Sequence, residues 1–171
     1  TGLKEKTCSK CNDIKQEVNI VRKLNPNLSK YEKAQMYLLY YMLNNDDVVR
    51  LYDEKVNYMP NDNYRKLANY ISCFYKENGY ISVADLMTYL SNYDGMNKIV
   101  SDIAVLDLKD EYTLGEINDY IFVIKDYSIR NEIDRLQYEL KNEIDNIKKA
   151  EIAQKIVDLK TEEKDLEINV E

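Results

Sequence analysis

The sequence predicts an all-α protein, a multi-helix bundle followed by a C-terminal antiparallel helical hairpin. Three observations lead there. Glycine and proline are scarce, four and two in 171 residues, whereas an all-β chain turns often and draws on both. Cap-forming residues punctuate the chain at helical lengths. Apolar residues recur at three- and four-residue steps, with almost no strand-like alternation.

The elements follow in order. Ser29 with Glu32 has the spacing of a capping box and starts the first helix near residue 30. This helix runs through Leu43 into the polar Asn44-Asn45-Asp46-Asp47, whose asparagines are expected to cap a second helix carrying Val48, Val49, Tyr52 and Val56. Pro60 and Asn61-Asp62-Asn63 break the chain before a third helix, with Tyr64, Leu67, Ala68, Ile71, Phe74 and Tyr75 on one broad face. Gly79 closes it in a left-handed cap. Ser82 and Asp85 open a short fourth helix with Leu86 and Leu90, and Asp94-Gly95 introduces a fifth with Ile99, Val100, Ile103 and Leu106. Thr113 and Glu116 form a second capping box, opening a helix through Leu114, Ile117, Ile121 and Ile124 that is expected to continue past Asp126.

Beyond that point the pattern narrows. Ile129, Ile133, Leu136, Leu140, Ile144 and Ile147 recur at alternating steps with charges between them, a coiled-coil-like seam. Ile152, Ile156, Leu159 and Leu166 form a second seam, and Asn142 to Asn146 is polar enough to hold a turn. Two such stripes in tandem make a helical hairpin. The expected organisation is a polar lead or linker over 1–27, a bundle over 28–127 and a hairpin over 128–171. The run from Met36 to Leu43 has no charged residue. Spanning a bilayer takes roughly 20 apolar residues, so this run is read as the central helix of the bundle and not as a membrane span. No apolar stretch near the start reads as a signal peptide, and a soluble protein is expected. The start at Thr1 and the polar lead suggest a piece of a longer chain.

Composition excludes several chemistries. A net charge of −7 argues against a duplex-wrapping surface, because non-specific nucleic-acid binding neutralises phosphates with Lys and Arg. Three cysteines without a secretory signal fit a reducing, cytoplasmic setting. Cys8 and Cys11 form a CxxC, but zinc would need two more ligands, and the chain has no histidine and only Cys73 besides. The missing histidine also removes the usual general base and nucleophile partner. "NGYIS" near Gly79 resembles part of a calcium loop, yet Phe74 and Lys76 would fall on ligand positions. Glu139 and Glu143, one turn apart, read as a solvated helix face. The sixteen tyrosines read as core and rim. No catalytic residue, metal site or cofactor is expected.

Four segments also carry a resemblance. "LSKYEKAQMYLLYYML", "YRKLANYI", "GEINDYI" and "EIAQKIVDLK" occur in the order and spacing of the C-terminal, helicase-interacting domain of bacterial DnaG-type DNA primases. The likeness covers about residues 28 to 165. It implies a six-helix subdomain and a helical hairpin that dock on the N-terminal domains of the hexameric replicative helicase. In that family the hairpin supplies much of the attachment, and the globular part helps stimulate the helicase. The resemblance implies a protein-interaction module that makes no primer alone. Here Lys148 and Lys149 replace the small residues that often precede the Ile-Ala-Gln string. The alternative is a helical adaptor or single-stranded nucleic-acid binder.

A hairpin buries only one stripe, so apolar residues beside its seam are left as a docking surface. Ile147, Ile152, Ile156, Val157 and Leu159 are the expected contact residues, with Lys155 and Lys160 as a charged rim that acts on association rate.

Overall fold

The computed structural model describes residues 28–56, 58–109 and 111–168. The lead, with Cys8 and Cys11, lies outside the described residues. Among those described there are seven α-helices, a single 3-10 turn and no strand.

Helix α1 (Lys30–Asn44) begins as the sequence predicts: the Ser29 hydroxyl accepts from the Glu32 amide, and the Glu32 carboxylate accepts from the Ser29 amide. Helices α2 (Asp46–Lys55), α3 (Asp62–Asn78), α5 (Met96–Ala104) and α6 (Leu114–Asn142) all pack on α1. Their apolar faces enclose Leu38, Leu39, Tyr41, Met42 and Leu43 almost completely. A helix that meets neighbours on every side can carry no charge along its middle, which accounts for the run from Met36 to Leu43.

The connections are pinned by side chains. Buried Gln35 donates to the Tyr31 carbonyl and accepts from the Asn61 amide, tying α1 to the entry of α3. Asn61 itself caps α3, accepting from the amides of Asn63 and Tyr64. Gly79 takes a left-handed conformation at φ 80° and donates to the Tyr75 carbonyl, so "NGYIS" is a helix end. Ser82 caps α4 (Val83–Tyr89), after which Leu90 to Asn92 tighten into the 3-10 turn. Leu90 is therefore buried from that turn and not from α4, and Leu106 is buried from the chain beyond α5.

Two caps differ from the sequence reading. Asn45 is the N-cap residue of α2, its carbonyl accepting from the amides of Val48 and Val49, but neither its side chain nor that of Asn44 makes the cap bond. Their amides donate backward to the carbonyls of Tyr40 and Tyr41, closing α1, while α2 starts without a side-chain cap bond. An asparagine amide both donates and accepts, so it serves whichever helix end is nearer to hand. At α6, Thr113 accepts from the Glu116 amide, but the Glu116 carboxylate turns inward. There it accepts from Tyr120 at 2.6 Å and from Tyr41 at 3.4 Å. Two phenols take the place of the Thr113 amide, and this half-formed box ties the start of α6 to the last turn of α1.

Helix α6 then runs unbroken for 29 residues. It serves two separate cores. Ile117, Ile121 and Ile124 belong to the bundle, whereas Ile129, Ile133 and Leu136 belong to a smaller cluster shared with α7 (Asn146–Ile168). Between them lies a polar node. Asp126 is nearly buried and is paired with Arg130 at 2.8 Å, and Arg130 lies 3.1 Å from Glu163 of α7. Beside it, Tyr31 of α1 stacks on Tyr127 at 4.3 Å. The expected boundary near residue 128 falls within this stretch of continuous helix.

Candidate partner-binding hairpin

The turn between α6 and α7 is three residues long and is built by two carboxylates. Glu143 accepts from the amides of Ile144 and Asp145, and Asp145 accepts from those of Ile147 and Lys148. These donors hold the Glu143 carboxyl below its ordinary range, the Asp145 amide contributing most. The polar stretch expected to turn does so because short acids can satisfy amides at a helix start.

Behind the turn the two helices meet along one stripe. Ile129, Ile133 and Leu136 of α6 pack against Ile152 and Ile156 of α7, with Leu140, Leu159 and Leu166 partly buried at the edges. The Arg130–Glu163 contact, between the middle of α6 and the far end of α7, fixes the pairing as antiparallel. On the open side of α6, Arg135 forks onto Glu132 and reaches Glu139. That contact draws the Glu132 carboxyl down. Glu139 is thus engaged by arginine and Glu143 by the turn. Among the described residues no group of Cys, Asp or Glu gathers to hold a metal ion.

The expected docking residues divide into two sets. Ile152 and Ile156 are 6% and 7% exposed and form the seam itself, with Leu159 half-buried beside them. These side chains lie in the stripe on which the two helices close, so they hold the hairpin together and are not part of its outer surface. Ile147 and Val157 do face solvent, at 73% and 56%, and Lys155 and Lys160 are exposed. Val157 shares the outward face of α7 with Ala150, Gln154 and Thr161, all exposed and spaced at helical steps.

The seam also ends earlier than the apolar spacing implies. Ile144 and Ile147 continue the arithmetic of Ile133, Leu136 and Leu140, but α6 stops at Asn142 and the backbone turns away. Ile144 is left 90% exposed at the tip. Tyr138 is exposed as well, on the outer face of α6. The apolar spacing puts Ile144 in the seam and leaves Tyr138 out of it. A helical wheel centred on Ile129, Ile133 and Leu136 puts Tyr138 opposite the seam, a signal available from spacing alone. The tip and outer face of the hairpin thus present Tyr138, Ile144, Ile147 and Val157 among charged neighbours.

No helix among the described residues is long and apolar enough to cross a membrane. No family model matches the chain. Curated relatives do. The chain is 26% identical over 116 residues to a DNA primase of Staphylococcus epidermidis, covering 67% of this chain and 19% of that protein. It is 26% identical over 136 residues to a DNA primase of Halalkalibacterium halodurans, covering 78% and 22%. A DNA primase of Staphylococcus aureus strain COL matches at 26% over 117 residues, 67% of this chain and 19% of its own length. The chain therefore spans about a fifth of the length of the relatives it matches.

Proposed function

We propose that this chain is the helicase-interacting module of a bacterial replicative DNA primase. It binds the N-terminal domains of the hexameric replicative helicase, and so recruits primase to the replication fork. The observation that supports this reading most is the similarity to DNA primases across most of the chain, coupled with a hairpin whose tip leaves large apolar side chains in solvent. On this reading the fragment carries no step of primer synthesis and needs no cofactor. Its contribution is a surface.

The contact residues are then the exposed members of the expected set, Ile147 and Val157, joined by Tyr138 and Ile144. Lys155 and Lys160 stand at the rim, where charge steers encounter more than it holds the complex. Ile152, Ile156 and Leu159 act indirectly by keeping the two helices together. A helical hairpin of this size suits an interface at the small end of the specific range, so one domain binds modestly. Several primase molecules on one ring, or tethered copies, raise the apparent affinity without new contacts.

The test is binding of the chain to the replicative helicase of the same organism, with Ile147→Asp and Val157→Asp as variants. Both side chains are exposed, so the fold should persist by circular dichroism while affinity falls. A folded double variant that binds like the parent would reject the hairpin as the anchor. Tight binding to single-stranded DNA, lost steeply with salt, would instead support a nucleic-acid module.

A further inference from the structure

The last turns of α7 are weakly seated. Fully buried seam residues on α7 end at Ile156, and Leu159 and Leu166 beyond it are only half-buried. The final turn holds no basic residue to offset the negative end of the helix dipole. Space remains beneath it. A hollow of about 440 Å³ is lined by Leu166 with Lys55, Phe122 and Lys125. A second, of about 280 Å³, is lined by Glu162 with Lys55, Lys125 and Ile129. A face with gaps beneath it gives up few dispersion contacts when it lifts.

Charge adds to the light packing of Leu159 and Leu166 at this end. Asp126 is nearly buried, and a buried carboxylate fixes its cation, so Arg130 is held one turn on. The guanidinium itself is half in solvent and reaches Glu163 on α7. One link between α6 and the end of α7 therefore is a contact that water and salt can enter.

We infer that residues 160–168 form a strap held against the bundle by Arg130. Opening the strap joins the two hollows, which share Lys55 and Lys125, into one groove along α6. The hairpin tip stays closed when it opens, because Ile133, Leu136, Ile152 and Ile156 lie on the far side of the node.

Backbone hydrogen exchange in the full chain, resolved along α7, tests this. In the parent protein, amides of 160–168 should exchange faster at high salt than at low salt, while those of 150–156 hardly change. Glu163→Gln leaves the Asp126–Arg130 pair intact. It should speed exchange of 160–168 about threefold at low salt and weaken the salt response. Asp126→Asn combined with Arg130→Met removes both charges, leaves none buried alone, and should reproduce the effect. An unchanged rate at 160–168 in both variants overturns the inference. So does equal acceleration along all of α7, which would make the node a support of the whole hairpin.

Discussion

The bundle and the hairpin use the same residue types to opposite ends. In the bundle, α1 is enclosed on all sides, and the core draws on six helices. In the hairpin, five buried side chains form one stripe between two helices, and most of the remaining surface is charged. The first arrangement spends its apolar residues on stability. The second holds several of them in solvent, Ile144 and Ile147 at its tip above all. A thin stripe is enough to keep two helices paired only because the bundle already anchors one of them.

The contrast predicts a graded set of effects. Leu38→Ala removes a fully buried side chain from the centre of the bundle and should cost about 2 to 5 kcal/mol, read as a lowered midpoint of the main thermal or denaturant transition. Ile156→Ala should cost about 2 kcal/mol of hairpin stability. Its effect should appear as faster amide exchange in α7 with little shift of the main transition. If it moves that transition as far as Leu38→Ala, the two cores are one cooperative unit. Ser29→Ala loses the α1 cap and should cost about 1 kcal/mol in chemical denaturation. Val157→Asp, at an exposed position, should lie within about 0.5 kcal/mol of the parent and is the variant in which binding and stability separate.

Alkali offers a further probe confined to the bundle. Tyr52 is fully buried with no partner for its hydroxyl, and burial pushes its phenol from 10.0 up to about 12. Below pH 10 it is neutral folded or unfolded, and its contribution is fully present. Between about 10 and 12 the unfolded chain ionises while the folded one resists, so stability falls as pH rises through that window. Tyr52→Phe should weaken this loss and leave stability at neutral pH unchanged or slightly higher, because the hydroxyl it removes is unsatisfied. Denaturant midpoints at pH 8 and about pH 11 check both expectations.

Much of this fold could be read from local rules. Ser29 with Glu32, Asn61, Gly79 and Ser82 all act where their chemistry places them, because caps depend on a few neighbouring residues. The readings that changed each involve a choice that local sequence does not make. Asn44 and Asn45 can serve either flanking helix, and the packing of α1 decides. Glu116 has an amide within reach, yet it turns to Tyr120 one turn along α6 and to Tyr41, which arrives from across the bundle. Ile144 fits the seam by counting, but counting assumes a helix that continues, and the two acids of the turn end it. The docking candidates met the same obstacle. Periodicity identifies apolar positions on α7, but only the placement of α6 shows that Ile152 and Ile156 face inward while Val157 faces out.

The unbroken course of α6 has a mechanical consequence. At about 1.5 Å per residue, its 29 residues make a rod some 43 Å long, with no proline or glycine after Gly115 to soften it. Both cores hang on this rod. A load applied at the tip, near Ile144, reaches the bundle as torque through a stiff lever, while a tether of flexible chain would dissipate it. Whatever grips the hairpin therefore also orients the bundle, and turning one turns the other.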